Sequence, residues 1–216
     1  MNLKILSLVI IGVCILLPDV CYAFLEKDVH LLNMQNGLAD NTVSAVYKDK
    51  EGFVWFGTRN GLSRYDGRQI TNFEQSNSYP SISNLKEVFD GVLAFVDNGV
   101  FSAFDLKKER FLSVVPSSGQ GIPSRGILQK NDSLVWVISG SELHLMKRCA
   151  SKEGELRLRV QEKYTGWNNQ DNLLVAITYS SDKKSICLID EKGRIILLDA
   201  TNLNSFRVID LGRTGS

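Results

Sequence analysis

Short apolar runs separated by turn residues make up most of this chain. After residue 23, no stretch keeps the period of about 3.6 residues that marks an amphipathic helix. In the first unit, apolar and polar positions alternate in four segments, at residues 42–47, 53–57, 62–65 and 69–74. Asn60-Gly61 and Asp66-Gly67 separate the later segments, and both dipeptides favour the positive φ of tight hairpin turns. The pattern predicts an antiparallel meander of four strands.

The same unit recurs along the chain. Blades are predicted at residues 33–75, 84–115, 125–163 and 172–211. Large apolar residues occupy comparable places in their second strands, namely Trp55, Leu93, Trp136 and Ile186. The resulting period of about 40 to 50 residues is typical of a propeller blade. We therefore predict an all-β fold, a β-propeller of four-stranded antiparallel blades with about four blades present, in preference to an eight-stranded sandwich or barrel.

The first 23 residues have the composition of a cleaved signal peptide. Lys4 precedes an apolar run over residues 5–17, which as a helix would span only about 20 Å of a hydrocarbon core of about 30 Å. Ala23 ends a small-residue cleavage site, so the mature chain is predicted to begin at Phe24. An uncleaved anchor is the alternative.

Charge and cysteine content restrict the classes of function. The chain has 25 Lys and Arg against 24 Asp and Glu, a net charge of +1, so no strong field gathers nucleic acid. Cys149 and Cys187 remain after the leader, and the alternatives of a disulfide and of two free thiols stay open. Without a Cys-x-x-Cys motif or a Cys/His cluster, we predict no metal site and no cofactor.

The first predicted blade carries a specific motif. Its elements are Gly37-Leu38, Asp49 to Gly52, Trp55 to Thr58, Gly61-Leu62 and Tyr65-Asp66. In this order they resemble the two-component regulator propeller repeat. The resemblance covers one blade closely, whereas the later blades keep the spacing and lose most of the motif residues.

Proteins with this repeat after a signal peptide resemble hybrid two-component histidine kinases. In that family, the periplasmic part holds two seven-bladed propellers and a small β-sandwich, and a transmembrane helix, kinase, receiver and DNA-binding domain follow. The family commonly senses oligosaccharides. The resemblance implies a periplasmic sensor module that is not itself an enzyme and is tethered to the inner membrane only within a longer parent chain. Its implied partners are an oligosaccharide or other small envelope ligand, further blades and signalling domains, and a second copy of the chain.

Two other functions are compatible with a propeller. One is a stand-alone secreted propeller that binds protein or carbohydrate, and the other is a propeller glycoside hydrolase. A seven-bladed ring needs roughly 280 residues, so we expect an incomplete ring in which residues 24–32 supply a ring-closing strand.

The motif residues have structural roles in this interpretation. Asp caps a turn, Gly supplies positive φ or a close approach, and a Trp ring fills the space between blades. The residues concerned are Asp49, Gly52, Trp55, Gly57, Gly61 and Tyr65. Other carboxylates also fall at turns, where capping is expected, namely Asp97, Asp105, Asp132 and Asp199. We therefore predict no catalytic residue.

One inter-blade connection is a candidate ligand site. Residues 164–172 join the third and fourth blades, and such connections gather on one propeller face, where ligands often bind. Trp167 could stack on a sugar ring while Asn168 and Asn169 hydrogen-bond its hydroxyl groups. The alternative is an ordinary polar loop whose Trp167 ring packs against a blade. His144, which Leu145 follows, does not fit a kinase phospho-acceptor.

We expect cleavage between Ala23 and Phe24 when the protein is exported by a Gram-negative host, because the apolar run and the small residue at the site match signal peptidase substrates. Mass spectrometry of the exported protein measures this directly. An intact N-terminus would show that the leader is retained.

Overall fold

The computed structural model describes residues 31–74, 80–116, 119–167 and 172–210. These residues form sixteen strands and one short 3-10 turn, Met34–Asn36. The predicted signal peptide and most of the predicted ring-closing strand lie outside the described residues. Within the described ranges, no helix is long and apolar enough to span a bilayer.

Each blade is a meander in which consecutive strands pair antiparallel. Blade 1 contains β1 (Val43–Lys48), β2 (Val54–Thr58), β3 (Gly61–Tyr65) and β4 (Ile70–Phe73). Blade 2 contains β5 (Ile82–Phe89), β6 (Val92–Asp97), β7 (Val100–Asp105) and β8 (Arg110–Pro116). Blade 3 contains β9 (Gly126–Asn131), β10 (Leu134–Ser139), β11 (Glu142–Cys149) and β12 (Glu155–Tyr164). Blade 4 contains β13 (Leu174–Tyr179), β14 (Ser185–Asp190), β15 (Ile195–Asp199) and β16 (Phe206–Ile209). The predicted all-β propeller fold is therefore confirmed.

Blades 2 and 3 share one continuous sheet, which the sequence pattern did not predict. Their outer strands, β8 and β12, pair in parallel from Ser113 and Glu155 to Pro116 and Leu158. The resulting sheet has eight strands in the order β5-β6-β7-β8-β12-β11-β10-β9. Backbone hydrogen bonds therefore join these two blades at their outer edges, in addition to side-chain packing.

Three apolar cores lie between neighbouring blades. The core of blades 1 and 2 includes Trp55, Leu62, Leu93, Phe95 and Phe104. The core of blades 2 and 3 includes Phe89, Phe101, Ile127, Val137, Met146 and Leu158. The core of blades 3 and 4 includes Trp136, Leu143, Leu174, Ile186 and Leu198. Because each core draws residues from two blades, no blade is stabilised by its own four strands alone.

Trp55 connects the first turn of blade 1 to the neighbouring blade. Its indole Nε1 donates a 2.7 Å hydrogen bond to Oδ2 of Asp49, whose Oδ1 accepts from the Phe53 backbone N–H at 2.9 Å. The ring is 1% exposed and lies 5.5 Å from the ring centroids of Phe73 and Phe104. One side chain thus supplies apolar area to the inter-blade core and holds the carboxylate that caps the turn.

Gly57 allows the first two blades to approach closely. A Cβ at this position would lie 2.8 Å from the backbone oxygen of Ile82 on β5, a distance that real Cβ atoms do not reach. Ser44 on β1 also donates its hydroxyl to that Ile82 oxygen. In the neighbouring turn, Gly52 has φ of 94°, a left-handed conformation that favours glycine.

The two outermost blades each present an apolar face to solvent. In blade 4, Ile186 and Leu188 point into the core shared with blade 3, so Cys187 and Ile189 point away from it. Ile189 is 37% exposed and lies beside Ile195 on the next strand. In blade 1, Val46 is 60% exposed and pairs with Phe56. Among the described residues, no further blade packs on these faces, and such surfaces favour association.

Replacement of Trp55 by Ala should lower the free energy of unfolding by about 3–5 kcal/mol, because it leaves a cavity in the inter-blade core. The measurement is chemical denaturation of a two-state preparation. Val46→Ala in the same blade is the control, and it should change stability by less than about 0.5 kcal/mol because the side chain is largely exposed. A loss below about 1 kcal/mol for Trp55→Ala would contradict the placement of the ring.

The isolated mature chain should self-associate through its exposed blade faces, which sedimentation velocity at increasing protein concentration would detect. Ile189→Lys should weaken the association, because it places a charge on the apolar face of blade 4. Asn204→Lys, in an exposed turn of the same blade, is the matched control. A compact, sharply melting monomer at all concentrations would instead favour a closed four-bladed module.

Candidate functional site

A cavity of about 410 Å³ lies between blades 2 and 3, at the end where the β8–β9 connection runs. This volume is in the usual range for small-molecule sites. The lining residues are Pro116, Gly121, Ile122, Pro123, Ser139, His144, Met146, Leu158, Arg159, Val160 and Lys163. The cavity is therefore on the propeller face that collects the inter-blade connections, one connection before the segment that the sequence analysis selected.

The strands of blade 3 form one wall of the cavity. Val137 on β10 is opposite His144 on β11, and His144 is opposite Lys163 on β12. Because alternate residues of a strand share a face, Met146 points to the same side as His144. Met146 belongs to the apolar core of blades 2 and 3, so this face of blade 3 is turned toward blade 2.

The β8–β9 connection forms the opposite wall, and backbone bonds to blade 2 hold it in place. The N–H of Phe101 donates to the oxygen of Ile122 at 2.8 Å, and Pro123 forms an isolated bridge with Val100. The N–H of Ser124 donates to the oxygen of Gly99 at 2.7 Å. These bonds fix the proline-containing wall against the β6–β7 hairpin.

His144 is the buried polar group of the cavity. Its side chain is 10% exposed, and Nε2 lies 2.6 Å from Oε2 of Glu142. The hydrogen bond with His144, assisted by the charge of Lys163, lowers the pKa of Glu142, so this carboxyl group is ionised at neutral pH. Since a carboxylate only accepts hydrogen bonds, Nε2 carries the proton and donates it. Nδ1 is then the nitrogen left for a ligand, and no group among the described residues hydrogen-bonds it.

The ionisable residues that line the cavity are all basic. Lys163 Nζ lies 3.5 Å from Oε2 of Glu142, so the same carboxylate contacts both His144 and Lys163. Arg159 also borders the cavity, but its side chain lies on the opposite face of β12 from Leu158 and Val160, because alternate residues of a strand point to opposite faces. Glu142 itself is outside the lining. The cavity therefore combines apolar walls with one polar end, where the Glu142 carboxylate contacts both His144 and Lys163.

The structure places the predicted ligand residue Trp167 in the core of blades 3 and 4. The residue is 6% exposed, and its ring meets Phe206 edge to face at a centroid distance of 6.5 Å. This position corresponds to the packing alternative considered for that connection. Asn168 and Asn169 lie outside the described residues, so the contact of these three residues with a ligand stays a prediction.

The turn carboxylates are engaged by backbone groups. Oδ1 of Asp97 accepts a hydrogen bond from the backbone N–H of Ser81 at 3.0 Å. Oδ1 of Asp105 accepts from the N–H of Lys107 at 3.0 Å. Oδ1 of Asp199 accepts from the N–H of Thr201 at 2.8 Å.

The residues that the structure describes contain no group of three or more potential metal ligands. Cys149 and Cys187 lie in different blades as free thiols.

The sequence analysis missed the cavity because its residues form no motif. His144 and Lys163 are far apart along the chain and become neighbours only when β11 pairs with β12. The available signal was the connection between blades 2 and 3, which directly follows Pro116 and contains Pro123. Proline-containing connections at the ligand-binding face of a propeller are reasonable candidates for the wall of a site.

Comparison with known families identifies the first blade. Residues 37–60 match the family model described as Two component regulator propeller. This part of the first blade is similar to a two-component regulator propeller repeat. The matched segment contains the Asp49 turn, the Trp55 strand and the close contact at Gly57, so the residues that identify the repeat are those that shape the interface of blades 1 and 2. A search of curated protein sequences gives no match.

Solved structures share the fold of this chain. The extracellular domain of a hybrid two-component system from B. thetaiotaomicron is 19% identical, with a TM-score of 0.63, over 85% of this chain and 24% of that one. The extracellular domain of a one-component system from the same organism is 16% identical, with a TM-score of 0.62, over 83% of this chain and 27% of that one. Virginiamycin B lyase from Staphylococcus aureus is 15% identical, with a TM-score of 0.57, over 80% of this chain and 57% of that one.

The chain spans about a quarter of the length of the two bacterial receptor domains that it resembles. At these identities, the similarity shows the fold alone, because one propeller fold supports sensors and lyases alike. The cavity lies between blades 2 and 3, outside the segment that matches the regulator propeller family. Its chemistry must therefore be argued from its own residues.

Proposed function

We propose that this chain is part of the ligand-sensing propeller of an exported two-component receptor and is not itself an enzyme. The observation that carries the proposal is the regulator propeller repeat of residues 37–60, followed by three further blades of the fold seen in receptor extracellular domains. The kinase that such a receptor needs is a property of the longer protein and not of these blades. The location that follows from this role is the periplasm.

We propose an oligosaccharide as the sensed ligand, as the resemblance to the regulator propeller family implies. The sequence of the connection over residues 164–172 supports this, since it contains several side-chain amides. Amides both donate and accept hydrogen bonds, as the hydroxyl groups of a sugar require.

A binding role fits the described carboxylates better than a hydrolytic role does. Glycoside hydrolysis needs two carboxyl groups that face each other across a substrate. Asp105 and Asp199 instead accept backbone N–H groups of their own turns, and Asp97 accepts the backbone N–H of Ser81, just before β5. The fold-level similarity to virginiamycin B lyase supplies no catalytic residue for this chain.

We expect one class of oligosaccharide to stabilise the exported protein when a panel is tested by thermal denaturation. A saccharide present at about 100 times its dissociation constant adds about 2.7 kcal/mol, which corresponds to a rise in Tm of roughly 5–10 °C for a domain of this size. Each saccharide should be recovered intact by chromatography. A panel without any stabilising member would contradict oligosaccharide sensing, and shortened products that disappear in an Asp97→Asn variant would show an enzyme.

A further inference from the structure

Apolar side chains form most of the wall of the cavity between blades 2 and 3. They are Pro116, Ile122, Pro123, Met146, Leu158 and Val160. A sugar buried against this wall would leave several hydroxyl groups without hydrogen-bond partners, which is unfavourable. An aromatic ring instead gains free energy when its surface leaves water, and a methionine thioether makes a favourable contact with such a ring. The wall therefore suits a ligand with an aromatic body.

The charges at the polar end of the cavity are already matched to each other. Oε2 of Glu142 accepts the hydrogen bond of His144 Nε2 at 2.6 Å and lies 3.5 Å from Lys163 Nζ. The carboxylate and the ammonium group offset one another, so neither is left to compensate a charge on a ligand. A ligand that carried a charge into this end would lose hydration without gaining a counter-charge. The polar end therefore favours a neutral group.

One ring nitrogen of His144 is available to that neutral group. The side chain is 10% exposed, and its bond to Glu142 uses Nε2 and orients the ring. Within the described ranges, no protein group pairs with Nδ1. A hydroxyl group both donates and accepts hydrogen bonds, so it matches Nδ1 whether or not that nitrogen carries a proton. A single hydroxyl on the ligand therefore satisfies the polar end.

From these contacts we propose that the cavity binds a neutral phenol of one or two rings, whose aromatic body lies against Met146 and the two prolines and whose hydroxyl pairs with Nδ1 of His144. The volume of about 410 Å³ admits a ligand of this size. The inference does not depend on the oligosaccharide proposed above, because it concerns a different part of the chain and a different ligand class.

The first measurement compares 2-naphthol with 2-naphthoate, which share the two-ring body and differ in the group that would meet the polar end. At about pH 7 the naphthol is neutral, because phenolic hydroxyls titrate at about pH 10, and the acid is ionised. We expect calorimetry to show 2-naphthol binding at least roughly tenfold more tightly, since the carboxylate finds no unpaired cation. Equal or tighter binding of 2-naphthoate, or no binding of 2-naphthol at millimolar concentration, would overturn the proposal.

The second measurement is NMR of isotope-labelled histidine ring nitrogens, which reports on the proposed hydrogen bond itself. His144→Phe assigns the signals, because the chain contains only one other histidine, His30. Addition of 2-naphthol should shift the Nδ1 signal of His144 and leave the signals of His30 in place. An Nδ1 signal that stays unchanged at saturating 2-naphthol would show that the hydroxyl does not pair there. His144→Phe should itself weaken binding of 2-naphthol roughly fivefold, because one hydrogen bond is lost.

A third measurement places the ligand in this cavity. Val160 lines it and is 38% exposed, so Val160→Phe fills part of the space without a large change in the core, and it should weaken binding of 2-naphthol at least roughly tenfold. Val175→Phe is the matched control, because Val175 is 39% exposed on β13 of blade 4, outside the lining. The control should bind as the unmodified protein does. Unaltered binding in Val160→Phe, or an equal loss in both variants, would contradict the assignment.

Discussion

Burial of one blade against the next is the interaction on which the rest of this structure depends. A four-stranded meander has two faces and too little volume to form a core by itself, so its apolar side chains must be covered by neighbouring sheets. The three inter-blade cores meet this need for the inner faces of all four blades. The same requirement explains why Gly57 is small, since a side chain there would hold the first two blades apart.

Inter-blade packing also produces the cavity. Blades 2 and 3 are joined at their outer edges by β8 and β12, while near the connection end their faces are separated by the segment that contains Ile122 and Pro123. One face of blade 3 therefore carries both kinds of side chain. Met146 lies in the core against blade 2, whereas Lys163, nearer the connection end, is partly solvated. A small-molecule site arises where this packing is incomplete.

The His144–Glu142 pair places an ionisable ring beside the apolar core of blades 2 and 3. Burial of a polar group is unfavourable unless a hydrogen bond compensates for lost hydration, and here the carboxylate provides that bond. In blade 1, the buried Trp55 indole N–H is likewise compensated by its hydrogen bond to Asp49, and this bond also stabilises a turn. The two pairs differ in that Trp55 has no second polar atom, whereas His144 retains Nδ1 for another partner.

Local features of the sequence determined the blades and the first repeat. Period-two alternation, Asn60-Gly61 and Asp66-Gly67 turns, and the recurring large residue in each second strand depend on residues close together in the chain, so they could be interpreted without coordinates. Only the tertiary structure decided the pairing of β8 with β12, the burial of Trp167 against Phe206 and the meeting of His144 with Lys163. These depend on the strand register and on the angle between blades, which are set by packing over the whole sheet and not by any short segment.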